Sequence, residues 1–170
     1  MRRLILCLFL VVITTSLGVA QKSDAATLVF IRHAEKVDDG SRDPDLTKKG
    51  EERASRISSI LDNKYGKINA VYSTNYKRTQ QTATPTALKN NVNVVDYDPR
   101  TPNVFLKSLI RKHIGEVILI VGHSNSTPTL VNFVLGEDRF EALDESVYDT
   151  IFVVESSEVG SGTVTVSSSN

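Results

Sequence analysis

The stretch T-L-V-F-I-R-H-A-E spans residues 27–35 and sets the expectations for the rest of the chain. Residues 28–31 form an uninterrupted apolar run, which predicts a buried strand. Arg32 and His33 follow at once, so a cation and an imidazole stand where that strand ends. Open α/β sheets bind their ligands outside the carboxyl ends of the strands. The stretch therefore predicts a polar site at the end of the first core strand.

Residues 1–20 have the layout of a secretory signal peptide. A positive start, M-R-R, precedes a short apolar run over residues 4–13, and residues 18–20 form a small-x-small cleavage pattern. Cleavage after residue 20 or 26 fits, with residues 21–26 as a flexible leader. The run is too short to favour a transmembrane span, although an uncleaved N-terminal anchor is the alternative. We therefore expect an exported protein, periplasmic or secreted, with no stable membrane association after cleavage.

Composition excludes several classes of function. The only cysteine, Cys7, leaves with the signal, so the mature chain has no disulfide and no thiolate nucleophile. The formal net charge is zero and becomes about −2 when Arg2 and Arg3 leave, which gives no basic excess to attract nucleic acid or an anionic membrane. We expect one domain over residues 27–156, followed by a terminal strand and a frayed Ser/Gly-rich tail over residues 157–170.

Short apolar runs alternate with longer helical patterns along the mature chain. This alternation predicts a three-layer α/β/α fold with a mostly parallel central sheet. A first helix is expected from the N-cap Thr47 to residues 63–66, and a second after residues 73–75, with Pro85 as a kink or restart. A third helix is expected from Pro102 to residue 114, and a fourth should end at Gly136. Core strands are expected at residues 28–31, 68–72, 92–97 and 117–121, and later strands near the sheet edge at 151–154 and 163–166.

Polar side chains follow each of the first four predicted strands. Because parallel strands end at one edge of a sheet, these side chains should converge on one pocket, rimmed by helix N-termini that favour an anion. His113 is different, since it shares a helical stripe with Phe105 and Leu109, and we predict a structural role for it. The converging side chains are Arg32, His33, Ser73, Arg78, Asp96, Asp98 and the run G-H-S-N at 122–125.

Four segments resemble the motifs of the histidine phosphatase, or phosphoglycerate-mutase-like, superfamily, and they occur in the family's order. Ala34 stands where the family more commonly has glycine. The four segments are R-H-A-E (32–35), D-L-T-K-K-G-E-E-R-A (45–54), Y-S-T-N-Y-K-R-T-Q-Q-T-A (72–83) and V-G-H-S-N (121–125).

The resemblance implies a metal-independent phosphomonoester hydrolase of the phosphoglycerate-mutase-like fold, acting on a small phosphorylated substrate without a cofactor. His33 would be the nucleophile that forms a phosphohistidine, with its second ring nitrogen donating to a backbone carbonyl. Arg32, Arg78 and His123 would bind the phosphoryl oxygens, and Asn125 would join in substrate binding. Two guanidinium groups would supply the positive charge that phosphoryl transfer requires.

The general acid for the leaving group is the open point in this comparison. Many relatives carry a glutamate after the third strand, but here that region reads V-V-D-Y-D-P-R-T-P. Asp98 is the first candidate, followed by Asp96, and Glu35 is another nearby carboxylate. Small relatives that act on phosphohistidine lack a dedicated acid, so a phosphohistidine phosphatase stays open.

Other functional interpretations of the motifs have less support in the sequence. G-H-S-N-S at 122–126 lacks the final glycine of a nucleophile elbow, and no histidine follows Ser124 to complete a triad. D-P-D-L-T at 43–47 matches an aspartate-nucleophile motif but follows no core strand. A non-catalytic phospho-ligand-binding module stays open, whereas a mutase is disfavoured because the chain is short. Specificity is expected from residues 37–44, 99–103 and 137–149, and the sequence predicts no oligomeric state.

Overall fold

Strands and helices alternate along residues 24–170, the part of the chain that the computed structural model describes. The predicted signal peptide and Cys7 lie outside these residues. The strands are β1 (Ala26–Arg32), β2 (Ala70–Ser73), β3 (Val94–Asp96), β4 (Val117–Gly122), β5 (Thr150–Ser156) and β6 (Thr163–Ser168). The helices are α1 (Lys48–Tyr65), α2 (Lys77–Lys89), α3 (Pro102–Lys112) and α4 (Ser126–Leu135).

The six strands form one sheet in the order β3-β2-β4-β1-β5-β6. The four strands β1 to β4 pair in parallel, whereas β5 and β6 are antiparallel additions on one side. The carboxyl ends of β1, β2 and β4 are neighbours, because β4 lies between the other two. The prediction of a mostly parallel sheet with two late strands towards its edge is confirmed.

Both faces of the sheet are covered by helices, which explains why the core strands are apolar without interruption. Along β1, Leu28 and Phe30 pack with α3 and α4, while Val29 and Ile31 pack with α1 and α2. Side chains of a strand point alternately to its two faces, so each strand contributes to both cores. The predicted three-layer α/β/α architecture is confirmed.

The helix boundaries follow local signals in the sequence. Thr47 caps α1 as predicted, since its Oγ1 accepts a hydrogen bond from the Gly50 amide at 3.1 Å. Gly66 ends the same helix with φ of +69°, a conformation that glycine adopts without strain. Helix α2 continues through Pro85 to Lys89 rather than restarting there. No helix among residues 24–170 is long and apolar enough to cross a membrane.

Both ends of the described chain are more ordered than the sequence suggested. Ala26, assigned to the flexible leader, is the first residue of β1, fully buried and paired with Ser156 of β5. Instead of fraying, the tail forms β6 and then packs on α1. Ser169 is fully buried and its hydroxyl accepts a hydrogen bond from Arg53 at 3.1 Å.

Candidate active site

A cleft of about 1180 Å³ opens where the parallel strands end. The segment after β1 contributes His33, the segment after β2 contributes Thr74, and the segment after β4 contributes His123. Arg78 reaches the cleft from the first turn of α2. Topology thus brings together side chains up to ninety positions apart in the sequence, as predicted, although Arg32 is buried behind them and does not line the cleft.

His33 is buried with only 3% of its surface exposed, and its tautomer is fixed. Its Nδ1 lies 2.7 Å from the carbonyl oxygen of Ala34, which can only accept, so Nδ1 carries the proton and Nε2 keeps its lone pair. Burial lowers the pKa of His33 to about 4, with further lowering by the charges of Arg32 and Arg78. The imidazole is therefore neutral at neutral pH, with Nε2 as a nucleophile.

Arg32 is the largest fully buried side chain at this end of the sheet, with 1% exposure. Its Nη1 donates to the carbonyl oxygens of Asp144 (2.9 Å), Glu145 (3.2 Å) and Val147 (2.9 Å). Its Nη2 forms an ion pair with the Glu145 carboxylate at 2.6 Å, and its Cζ lies 4.1 Å from the centre of the Tyr148 ring. The chain between α4 and β5 is thus held against the end of β1 by this one guanidinium.

Arg78 and His123 form the second half of the site. The Arg78 Nη2 atom lies 3.5 Å from His123 Nδ1, and its Cζ lies 4.5 Å from the centre of the Tyr76 ring. Asp43 pairs with Arg78 Nη1 at 3.6 Å. Three buried guanidinium nitrogens lack a hydrogen-bond partner among residues 24–170: Arg32 Nε, Arg78 Nε and Arg78 Nη1. An anion that accepts hydrogen bonds from such donors would satisfy them.

The orientation of His123 depends on two threonines. Thr79 Oγ1 donates to the Thr74 carbonyl at 2.7 Å and accepts from Thr74 Oγ1 at 3.0 Å. Thr74 Oγ1 therefore accepts from His123 Nε2, 2.9 Å away. Burial lowers the pKa of His123 to about 4, with Arg78 and Arg32 adding to the shift. The ring of His123 lies edge-on to that of His33, with 5.6 Å between their centres.

The three carboxylates suggested as the general acid do not suit that role equally. Asp98 lines the cleft, but Arg100 donates to both its oxygens, and the hydrogen bonds from Arg100 lower the pKa of Asp98 to about 2. A carboxyl group held ionised in this way is a poor acid, which argues against the first candidate. Asp96 lines the cleft and accepts a hydrogen bond from Gln80.

Glu35 does not line the cleft and is bound by Arg53, whose Nε and Nη2 donate to it at 2.9 and 2.8 Å. Burial alone would raise the pKa of Glu35, but these hydrogen bonds outweigh it and lower the pKa to about 2. This pairing argues against Glu35 as the acid. Within residues 24–170, no group of three or more His, Cys, Asp or Glu side chains is arranged to hold a metal ion.

Of the remaining predicted residues, Asn125 reaches the cleft, whereas Ser73 is fully buried and does not line it. Asn125 lines the cleft, and its side-chain oxygen accepts from the Ser126 amide at 2.8 Å, where α4 begins. His113 lies outside the cleft and bonds to Tyr72 (3.0 Å) and Glu116 (2.7 Å), consistent with a structural role.

Several residues of the site were not predicted from the sequence. Thr74 and Tyr76 lay inside a recognised motif, but nothing marked them individually. Tyr148 and Glu145 lie on the segment between α4 and β5, and Arg100 on the segment before α3. Both segments were expected to supply specificity, yet only the folded chain shows which of their side chains face the cleft.

Comparison with known proteins agrees with this geometry. The family model of the histidine phosphatase superfamily (branch 1) matches residues 28–100, which contain Arg32, His33 and Arg78. The chain has no significant match among curated protein sequences.

Solved structures share the fold at low sequence identity. The protein histidine phosphatase SixA complexed with tungstate is 18% identical, with a TM-score of 0.69 over 84% of this chain and 97% of that one. A phosphoserine phosphatase mutant from Entamoeba histolytica in complex with phosphoserine is 13% identical, with a TM-score of 0.66 over 85% and 98%. A mycobacterial glucosyl-3-phosphoglycerate phosphatase is also 13% identical, with a TM-score of 0.65 over 85% and 98%.

These likenesses confirm the predicted fold class. The family model matches less than half of the chain and the solved structures share its fold, and both findings support the prediction of a phosphatase enzyme.

Proposed function

We propose that the protein is a metal-independent phosphomonoester hydrolase that acts through a phosphohistidine on His33. One observation carries the proposal: a neutral imidazole with a free Nε2 lies beside buried guanidinium nitrogens that lack hydrogen-bond partners. An anionic group with several acceptor oxygens, such as a phosphoryl group, suits these donors. The family match over residues 28–100 supports the same chemistry.

In the first step, His33 Nε2 attacks phosphorus opposite the leaving oxygen. The P–O bond breaks as the P–N bond forms, and the leaving oxygen takes up a proton. Arg32 and Arg78 stabilise the charge on the equatorial oxygens, which is the main requirement of phosphoryl transfer. The bond from Nδ1 to the Ala34 carbonyl stabilises the positive charge that develops on the ring.

In the second step, water attacks the phosphorus of phosphohistidine and the P–N bond breaks. His33 regains its lone pair and inorganic phosphate leaves. His123 assists both steps by binding a phosphoryl oxygen through Nδ1. Its low pKa in the free protein rises when a dianion binds next to it, because the negative charge favours the protonated ring.

The test compares wild type with His33→Ala on p-nitrophenyl phosphate. We expect kcat to fall by about 10³-fold or more, because the nucleophile is removed. Acid quenching of wild type should trap an acid-labile, alkali-stable phosphoprotein that His33→Ala does not form. His113→Gln, a histidine variant outside the cleft, should retain turnover. Equal rates for wild type and His33→Ala would contradict the proposal and favour a phospho-ligand-binding module.

A phosphohistidine substrate is the second candidate, favoured by the pairing of Asp98 with Arg100. A phosphoramidate leaving group needs little help from an acid, so the loss of Asp98 as a donor would not matter there. This candidate predicts that wild type hydrolyses a phosphohistidine peptide much faster than a phosphoserine peptide. Comparable rates on both peptides would exclude it.

We also propose that the domain is exported. The support is the positive start, the short apolar run and the cleavage pattern in residues 1–20. The burial of Ala26 in β1 favours cleavage after residue 20 over cleavage after residue 26. N-terminal sequencing of protein from the exported fraction tests both points, and an intact Met1 on cytoplasmic protein would contradict them.

A further inference from the structure

The carboxylate of Glu145 bridges the two halves of the cleft. Its Oε2 lies 2.6 Å from Arg32 Nη2, next to the proposed nucleophile. Its Oε1 accepts a hydrogen bond from Ser124 Oγ at 2.7 Å, next to the second histidine. The side chain is 74% exposed and lines the cleft together with His33. A carboxyl group therefore stands at the mouth of the site, beside the place where His33 would receive a phosphoryl group.

Among the described residues, three carboxylates line the cleft, and they differ in the side chains that bind them. Asp98 is held by Arg100 and Asp96 by Gln80, and neither partner belongs to the proposed phosphoryl site. Glu145 alone is paired with Arg32. Substrate binding therefore changes the electrostatic surroundings of Glu145 more directly than those of the other two.

Substrate binding would change the surroundings of Glu145 in the direction that favours its protonated form. In the free protein, the hydrogen bond from Ser124 lowers the pKa of Glu145 and the charge of Arg32 lowers it further, so the carboxylate is ionised. A phosphoryl dianion bound to Arg32 offsets that positive charge and adds negative charge close to Glu145. Both effects favour the protonated carboxyl group. The acid form would then arise when substrate is present.

We propose that Glu145 is the proton donor to the leaving group, an inference that rests on the function proposed above. As His33 Nε2 forms its bond to phosphorus and the P–O bond breaks, the carboxyl proton of Glu145 passes to the leaving oxygen. The resulting carboxylate then accepts a proton from the water that attacks phosphohistidine. The two steps together consume one water, release alcohol and phosphate, and return Glu145 to its starting state.

The test is the dependence of rate on the leaving group, measured for wild type and Glu145→Gln. A general acid contributes most where the leaving group is poor, so the variant should lose about 10²-fold in kcat on phenyl phosphate. On 2,4-dinitrophenyl phosphate, whose phenolate leaves unaided, the same variant should lose less than about threefold. Glu141→Gln, an exposed glutamate on the same segment and outside the cleft, should match wild type on both.

Two results would overturn the inference. An equal loss on both substrates would show that Glu145 only supports the shape of the site. A lower KM on both, with kcat unchanged, would show that it merely competes with substrate for Arg32. In either case His33→Ala would still abolish turnover, so the function itself would stand. A wild type with no turnover on any of these esters would remove both the function and the inference.

Discussion

His33 Nδ1 lies 2.7 Å from the carbonyl oxygen of Ala34, the next residue in the chain. The tautomer of the proposed nucleophile is thus fixed by its own backbone and needs no distant partner. His123 differs, because its ring is oriented by Thr74, which precedes it by 49 positions. The ring of His33 is therefore oriented by a neighbouring residue in the sequence, whereas the ring of His123 is oriented only when β4 packs against β2.

Burial of neutral His33 predicts that stability falls in mild acid. Its pKa is about 4 when folded and 6.5 when exposed, so the unfolded chain binds more protons between these values. The free energy of unfolding therefore rises with pH in that window, and His33 should remove on the order of 1–2 kcal/mol between pH 7 and pH 5. Urea unfolding at both pH values tests this for wild type and His33→Gln. The same pH dependence in both proteins would contradict the assignment.

Arg78→Lys should weaken phosphoryl binding although the charge is kept. The Nε and Nη1 atoms of Arg78 are buried donors without a hydrogen-bond partner, and an ammonium group cannot present two such donors in parallel. Loss of a charge-assisted hydrogen bond of about 2–3 kcal/mol corresponds to a fall of roughly 30- to 150-fold in kcat/KM. Steady-state kinetics on p-nitrophenyl phosphate measures the fall. Arg42→Lys, on an exposed loop, is the control, and equal effects of the two variants would disprove the role.

Gly50→Ala should destabilise the protein although alanine favours helices. A Cβ at position 50 would lie 2.3 Å from the Glu35 carbonyl oxygen, so α1 would have to move away from the segment that follows His33. We expect a net loss of about 2–3 kcal/mol, larger than the gain in helix propensity. Gly40→Ala offers a comparison, because φ is +73° there but no atom lies within 4 Å. That variant should cost only about 1 kcal/mol, and urea unfolding ranks the two. A smaller loss at position 50 would contradict the close contact.

Arg53→Met should loosen both the nucleophile segment and the tail. The Arg53 side chain is 7% exposed and joins Glu35 to Ser169, so its loss leaves a largely buried carboxylate with only Lys49. Breaking such a pair costs about 3 kcal/mol. Arg56→Met is the control, since Arg56 donates to the Ser169 carbonyl from an exposed position of the same helix. It should cost under about 1 kcal/mol. Thermal unfolding measures the loss of stability, and kcat measures the effect on the nucleophile segment. Equal losses of stability for the two variants would contradict the role assigned to Arg53.

The architecture was predictable because its signals are local. Apolar runs of strand length, the Thr47 cap and the Gly66 and Gly136 ends are read within a few residues each. The tail was misjudged for the complementary reason. Ser169 is polar and near the end of the sequence, and its burial comes from Arg53, 116 positions away.

In the candidate site, too, some residues were predictable from the sequence and others were not. The four motifs and the strand ends pointed to Arg32, His33, Arg78 and His123, because parallel topology makes the ends of separate strands meet. The carboxylates could not be ranked in this way. Their roles depend on which cation each one contacts, and Arg53 and Arg32, 18 and 113 positions away, are assigned to Glu35 and Glu145 only by the fold.

The sequence by itself therefore determined the layers, the sheet and the residues that chemistry requires at the strand ends. The tertiary structure decided which cation or hydrogen-bond donor each carboxylate contacts. The physical reason is the distance along the sequence over which each interaction acts. Hydrophobic period and capping act over a few residues, whereas the charge state of a carboxyl group is set by neighbours within a few ångströms that the sequence places anywhere along the chain.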